Sequence, residues 1–233
     1  ELLGNKGVSK GHVKTIFNEI YRLQNKYPFL SKVLPRRCKD LNNRYFCSYL
    51  KIEAIQHSCH DHSSKFLLQL EDENKIEAII IPEKKRITVC LSTQVGCKQA
   101  CAFCYTAKMK IFRNLTAEEI VAQLVTLNQW LLDHPKWFKD LSLDLSMRIT
   151  NVVFMGMGEP LDNAHNLIRA IKIFQDPWGL GIAPKRVTIS TAGHNEGLEI
   201  LIKSSLNVSL ALSVHSVNSS KRSKLMPINK KYP

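Results

Sequence analysis

The chain has 233 residues, of which 44% are hydrophobic; this is enough to fill a core, so we expect a globular protein. Lys and Arg outnumber Asp and Glu by 33 to 20, which favours a polyanionic partner, RNA or DNA before a membrane, over the alternative of a merely solvated surface. The sequence contains no apolar run of about 18 residues and no secretion signal, so neither a membrane span nor export is indicated and we expect a cytoplasmic protein.

The chain begins at Glu1 without a methionine and ends at Pro233 soon after a strand-like run, so we expect a fragment at both ends. The seven cysteines are an odd number, and three of them fall within eight residues, where mutual disulfides would be strained. A reducing compartment with metal or redox chemistry fits this pattern better than a disulfide framework.

Hydrophobic residues near the N-terminus recur at helical spacing. Val13, Ile16 and Ile20 fall on one face of a helix, and Ser9 is available as its N-cap. We therefore predict a small helical domain over residues 1–63. Its histidine-rich segment 57–62 (HSCHDH) fits a solvated linker, with adventitious metal binding as the alternative.

Over residues 64–85 the spacing of hydrophobic residues changes to that of short strands. These strands lead into the core. Three strand-like runs follow one another, separated by polar turns at 72–74 and 83–85. The runs occupy residues 65–70, 76–81 and 87–91.

Residues 86–233 form the predicted core, in which helices alternate with strands. Helices are predicted from a Thr116 cap through Leu131 and at 163–174 and 195–204, and further strands at 151–155, 186–190 and 208–213. This order predicts an α/β fold with a parallel sheet and right-handed crossovers, either doubly wound or barrel-like.

Ligands of such folds bind at the carboxyl ends of the strands. Unusual residues follow four consecutive predicted strands here, so all four strand ends are expected to meet at one site. These segments are residues 97–104, 156–160, 190–193 and 213–215.

Cys97, Cys101 and Cys104 are spaced C-x3-C-x2-C, which lets one loop present three thiolates to one metal centre. Structural zinc sites take four protein ligands, and no second pair of cysteines is close by, although Cys90 or a histidine could serve as a fourth. Iron–sulfur clusters are also usually held by four cysteines, so three imply a cluster with one iron open to a small molecule. Inert buried cysteines are the third interpretation.

Several longer strings resemble the RlmN/Cfr family of radical-SAM RNA (adenine) methyltransferases, and they occur in the family's order. They are residues 90–97 (CLSTQVGC), 101–104 (CAFC), 113–116 (RNLT), 154–161 (FMGMGEPL) and 225–230 (LMPINK). The resemblance implies a partial (β/α)6 barrel, with about four βα units present, beside the small N-terminal helical domain and the short strands. It also implies methylation of an adenosine ring carbon, C2 before C8, in 23S ribosomal RNA; some members of the family also act on transfer RNA.

The resemblance also implies the cofactors and their ligands. Cys97, Cys101 and Cys104 correspond to the ligands of a [4Fe-4S] cluster. Six positions correspond to contacts with S-adenosyl-L-methionine (SAM), with Val214 standing where the family has Leu. They are Gly158, Glu159, Ser190, Ser213, Val214 and His215.

Two catalytic positions follow from the resemblance alone. Cys90 corresponds to the cysteine that resolves a protein–RNA intermediate by forming a disulfide, and Glu77 to the proton acceptor. Without the family, Cys90 would be interpreted as a small apolar strand residue and Glu77 as a surface carboxylate. The family's methyl-carrying cysteine, its last two barrel strands and an asparagine that contacts SAM correspond to no residue of this sequence.

The implied partners are RNA and an electron donor such as flavodoxin or ferredoxin, and we expect a monomer without membrane contact. Two alternatives stay open. One is another radical-SAM enzyme, such as an activase or maturase, and the other is a degenerate paralogue that binds RNA without turnover.

Overall fold

The structure is a computed structural model that describes residues 8–25, 27–43, 49–84, 86–109, 112–135, 137 and 148–233. Its main element is a sheet of seven described strands in the order β1-β2-β3-β4-β7-β8-β9, and β5 pairs with β6 in a separate two-stranded sheet. The strands are β1 (Lys51–His57), β2 (Ser64–Gln69), β3 (Lys75–Glu83), β4 (Arg86–Cys90), β5 (Gln94–Val95), β6 (Arg113–Asn114), β7 (Ile149–Phe154), β8 (Val187–Thr191) and β9 (Ser209–Leu212).

The sheet has an antiparallel half and a parallel half. Strands β1 to β4 pair antiparallel, whereas β4, β7, β8 and β9 pair parallel. The described helices are α1 (Lys10–Tyr21), α2 (Arg36–Lys39), α3 (Ala117–Asp133), α4 (Ala164–Gln175), α5 (Asn195–Lys203) and α6 (Ser219–Leu225). Helices α3, α4 and α5 connect the parallel strands, and α6 follows β9. The predicted partial barrel with four βα units is confirmed.

One face of the sheet carries the main hydrophobic core. Alternate residues such as Val89, Val152 and Ile189 are fully buried there against Leu124 of α3 and Phe174 of α4. Helix α3 begins with a capping box, in which Thr116 and Glu119 satisfy each other's backbone N–H groups. Because side chains alternate along each strand, the residues between these core positions lie on the opposite face. Cys90, Val153 and Thr188 occupy neighbouring positions there.

The N-terminal segment differs from the expectation in one element. Helix α1 begins after its Ser9 cap as predicted, but β1 lies within the range 1–63 that was expected to be helical. The strand was missed because it is the edge of the sheet and its side chains are mostly exposed, so it lacks the alternation of a buried strand. The Arg22 guanidinium joins this segment to the core by donating to the carbonyls of Gly179 (2.8 Å) and Pro177 (2.7 Å). The division of the chain into domains stays a prediction.

Strand β9 forms the other edge of the sheet, and two of its leucines are turned outward. Leu210 is 54% exposed and Leu212 is 60% exposed. None of the described helices is long and apolar enough to cross a membrane.

Candidate active site

A cavity of about 320 Å³ lies at the carboxyl ends of the parallel strands. Its walls come from the cysteine loop and from the segments that follow β7, β8 and β9. Eight of the predicted site residues line it, namely Cys97, Cys101, Cys104, Gly158, Glu159, Ser190, Ser213 and His215. The strand topology thus brings together residues that are more than 110 positions apart in the sequence.

The cysteine loop is tethered to the barrel on both sides. Gln99 Nε2 donates to Asp162 Oδ2 (2.7 Å), and the other oxygen of Asp162 lies 3.0 Å from His194 Nε2. On the opposite side the Ala102 N–H donates to the Leu225 carbonyl (2.9 Å). Met226, which is buried, packs with Cys101 in the same small cluster. These contacts hold the loop with its three thiols facing the cavity.

The thiols lie in a poorly hydrated setting. Burial raises the pKa of Cys97 to about 11, and burial also raises the pKa of Cys101. A bound cation would convert such thiols to thiolates. Among the described residues, no three His, Cys, Asp or Glu side chains are grouped so as to hold a metal ion. Cys97, Cys101 and Cys104 nevertheless line one cavity, and three thiols on one loop are the donor set of a cluster with one open iron.

The turn after β7 has two glycines that admit no side chain. A Cβ at Gly156 would lie 2.8 Å from the Leu91 carbonyl oxygen and 2.8 Å from Ser92 Oγ. Gly158 has a φ of +101°, and a Cβ there would meet the Gln94 side chain at 2.6 Å. Both glycines line the cavity, so the backbone itself is presented to a ligand at this turn.

Glu159 ties the end of β7 to the end of β8. Its side chain is only 4% exposed, and Oε1 accepts from the Leu161 N–H (3.2 Å) while Oε2 accepts from the Ala192 N–H (2.8 Å). Burial raises the pKa of this carboxyl, and the hydrogen bonds oppose that rise. Both oxygens are thus hydrogen-bonded within the protein. The Glu159 backbone is engaged as well, since its N–H donates to Gln94 Oε1 (2.8 Å) and its carbonyl accepts from the Asp162 N–H (3.1 Å).

The ends of β8 and β9 form the facing wall. Ser190 Oγ and Ser213 Oγ are 3.5 Å apart, and the Ser213 N–H donates to the Thr191 carbonyl (2.9 Å). His215 has a φ of +54°, and its ring lies 4.4 Å from that of Phe103 between centroids. Val214 is 41% exposed and does not line the cavity.

The two predicted catalytic residues lie outside the cavity lining. Cys90 is 6% exposed at the end of β4, its thiol accepts a hydrogen bond from the Met155 N–H, and burial raises its pKa to about 11. Glu77 is half-exposed on β3 and pairs with Lys65 at 3.1 Å. The six described cysteines are all free thiols, so the structure does not support the disulfide that the resemblance implies at Cys90.

Three supporting residues were not predicted as site residues. Gln94 and Asp162 gave no signal, because an isolated amide or carboxylate in one sequence looks like any polar surface residue. Arg222 gave no signal beyond its positive charge, yet its guanidinium donates to main-chain carbonyls at the cavity wall. The histidine-rich segment is a surface turn in which His57 is hydrogen-bonded to Ser64 Oγ (2.8 Å).

Two known proteins are similar to this chain over most of its length. A protein of Thermosipho melanesiensis described as a probable dual-specificity RNA methyltransferase RlmN is 37% identical over 97% of this chain and 63% of its own length. The dual-specificity RNA methyltransferase RlmN of Sulfurovum sp. is 42% identical over 86% of this chain and 56% of its own length. The chain thus spans about three fifths of the length of these relatives.

A solved structure extends the likeness to three dimensions. The crystal structure of a radical SAM methyltransferase from Sphaerobacter thermophilus matches all of this chain and 65% of its own chain, with a TM-score of 0.84 and 32% identity. The family model of the Radical SAM superfamily matches residues 91–233. Members of this superfamily in general use a four-iron cluster and SAM. That segment contains the three cysteines and the ends of β7, β8 and β9 around the cavity, and through it the chain belongs to the radical SAM superfamily.

Proposed function

We propose that this protein is a radical-SAM RNA methyltransferase that adds a methyl group to C2 of an adenosine in 23S ribosomal RNA and also in transfer RNA. One observation carries the proposal: three loop cysteines and the ends of three parallel strands line one cavity, in a chain 37% to 42% identical to proteins described as RNA methyltransferases. Ordinary methyl transfer from SAM requires a nucleophilic acceptor atom, and C2 of adenine is not nucleophilic. A radical mechanism does not have this requirement.

The cavity is the proposed cofactor site. Cys97, Cys101 and Cys104 would hold a [4Fe-4S] cluster, and SAM would contact Gly158, Glu159, Ser190, Ser213, Val214 and His215. When bound, the reduced cluster would supply an electron, one SAM molecule would supply the methyl group, and a second SAM molecule would supply the 5′-deoxyadenosyl radical. The Glu159 carboxylate, with both oxygens bound inside the protein, keeps the β7 turn and the β8 end at a fixed separation for this ligand.

Cys90 is the proposed resolving thiol, and Glu77 the proposed proton acceptor. In the register of β3 and β4, Ile79 pairs with Cys90, and Glu77 lies two residues further along the same face. Diagonal neighbours of this kind are about 7–8 Å apart, within reach of one bound nucleotide. The raised pKa of Cys90 keeps its thiol protonated at neutral pH, so it needs a base before it can attack.

The proposed partners follow from charge and chemistry. The formal net charge of +13 favours RNA, and the cluster requires a small electron-transfer protein such as flavodoxin or ferredoxin. Free thiols that include the exposed Cys59 fit a reducing compartment, and we assign a cytoplasmic monomer.

The test uses protein expressed from its complete reading frame, reconstituted anaerobically with iron and sulfide. We expect 2-methyladenosine in nucleosides of unmodified 23S ribosomal RNA fragment and transfer RNA after incubation with SAM and reductant, read by mass spectrometry. Cys101→Ala should abolish the product, whereas Cys59→Ala, which removes an exposed thiol of the β1–β2 turn, should retain it. 8-Methyladenosine would move the site to C8, and no methyladenosine in either RNA would overturn the function.

A further inference from the structure

Arg222 of α6 joins the ends of two neighbouring strands. Its Nη2 donates to the Ala192 carbonyl (2.7 Å), which follows β8, and to the Ser213 carbonyl (3.3 Å), which follows β9. Its Nε donates to the Val214 carbonyl (3.2 Å). One guanidinium therefore bridges the two segments that form one wall of the cavity.

Asn229 fixes the guanidinium from the other side. The Arg222 Nη1 donates to Asn229 Oδ1. The Asn229 side chain is buried, and its Nδ2 lies within hydrogen-bond distance of the Ser219 carbonyl (3.2 Å) and of Ser223 Oγ (2.8 Å). The amide nitrogen is thereby committed to serine oxygens, so the amide oxygen must face Arg222.

The same stretch of chain also reaches the cysteine loop. The Leu225 carbonyl accepts from the Ala102 N–H (2.9 Å), and Met226 packs with Cys101 and Ala192. The segment 219–229 thus touches three walls of the cavity at once, and Arg222 is its polar connection to two of them.

We propose that Arg222, oriented by Asn229, is a positioning residue for SAM binding; this inference rests on the proposed function, which assigns Ser213 and Val214 as SAM contacts. Arginine is required because its planar fork reaches several acceptors in one plane. A lysine ammonium carries the same charge on a single atom and cannot span the Ala192 and Val214 carbonyls together with the Asn229 amide.

The test compares Arg222→Ala, Arg222→Lys and the matched control Lys221→Ala in cluster-reconstituted protein. Lys221 is the exposed neighbour of Arg222 on α6. We expect iron content and visible absorption to stay at the wild-type level in all three variants. The Kd for SAM, measured by equilibrium dialysis, should rise about tenfold to a hundredfold in Arg222→Ala, less in Arg222→Lys, and not in Lys221→Ala.

Two further readouts separate positioning from a general loss of stability. Guanidinium at low millimolar concentration, far below its denaturing range, should restore SAM affinity to Arg222→Ala and leave Lys221→Ala unchanged. Hydrogen exchange of Arg222→Ala should accelerate in peptides that cover 190–194 and 212–216 and not in β3 or β4. If Arg222→Ala does not fold, Arg222→Lys and Asn229→Ser decide by the same measurements.

The outcomes are distinguishable. Wild-type affinity for SAM in folded Arg222→Ala, or in Arg222→Lys where Arg222→Ala does not fold, would overturn the positioning role and leave the proposed function standing. A wild-type protein that loads its cluster but binds no SAM would overturn the proposed function, and this inference with it.

Discussion

The side chain of Gln94 occupies the space in which a side chain on Gly158 would lie. Its Oε1 accepts a hydrogen bond of 2.8 Å from the Glu159 N–H, and a Cβ built on Gly158 would be 2.6 Å from the Gln94 Cβ. Gln94 is fully buried, and its Nε2 donates to Asn114 Oδ1 (2.7 Å). The glycine turn is therefore shaped by a residue of the segment that precedes the cysteines.

Gly158→Ala is expected to lower the free energy of unfolding by about 2–4 kcal/mol, because the new Cβ meets Gln94 and a left-handed φ of +101° disfavours L-residues. Urea denaturation measures the loss. Adding Gln94→Ala removes two of the three close contacts, so the double variant should lose less stability than the sum of the single variants.

The matched control is Gly11→Ala in α1. A Cβ there has only Ser9 Oγ within 4 Å, at 3.8 Å, so alanine should stabilise the helix by about 0.5–1 kcal/mol. Equal effects at Gly11 and Gly158 would refute the steric argument.

Cys97→Ala, Cys101→Ala and Cys104→Ala are each expected to abolish the iron–sulfur cluster, because three thiolates are the fewest that hold a cluster with one open iron. Cys90→Ala should retain it, since Cys90 lies outside the cavity lining. Iron and sulfide analysis with visible absorption checks both results. A full cluster in Cys101→Ala, or stoichiometric zinc in the wild type, would count against the assignment.

The Cys90 thiol should make stability depend on pH in the alkaline range. Burial raises its pKa from the usual 9.0 to about 11, so between these values the folded chain binds more protons than the unfolded chain. Its contribution, about 2–3 kcal/mol, is present in full below pH 9 and is lost as the pH rises to about 11. Urea denaturation at a series of pH values measures this decline. The free energy of unfolding of Cys90→Ala should fall less steeply with pH than that of the wild type. Parallel curves for the two proteins would contradict the burial effect.

RNA binding is expected to weaken steeply with salt, because Lys and Arg contacts to phosphates release counterions. Lys224 on α6 and Lys230 shortly after it are exposed, and replacing both with Ala should lower the slope of log affinity against log salt by about 2. Lys84→Ala serves as the control, since Lys84 precedes β4 at the opposite end of the sheet. An affinity unchanged between roughly 50 and 200 mM salt would mean that these charges do not bind RNA.

The α/β alternation could be predicted from the sequence because buried parallel strands and amphipathic helices have strong periods. The Thr116 cap, the four parallel strands and the approach of their carboxyl ends are confirmed. Strand β1 was missed because its side chains are mostly exposed, and β5 and β6 because two residues are too few to show a period.

The cysteine spacing indicated a metal centre, whereas the supporting residues had no local signal. Arg222 illustrates the reason: its role depends on carbonyls 8 to 30 positions away, which only the folded chain brings together. Glu159 shows the converse, since its motif predicted a ligand contact and the structure shows a carboxylate engaged by the protein's own amides.

The tethers at Gln99 and Ala102 also bear on what happens to the protein when the proposed cluster is lost. A cysteine loop that is already held from both sides loses little conformational entropy when a cluster binds to it. In zinc fingers, by contrast, the metal creates the fold and chelation destroys it. Oxidative loss of the cluster should therefore leave the rest of the protein folded. A new cluster could then be inserted into the same polypeptide.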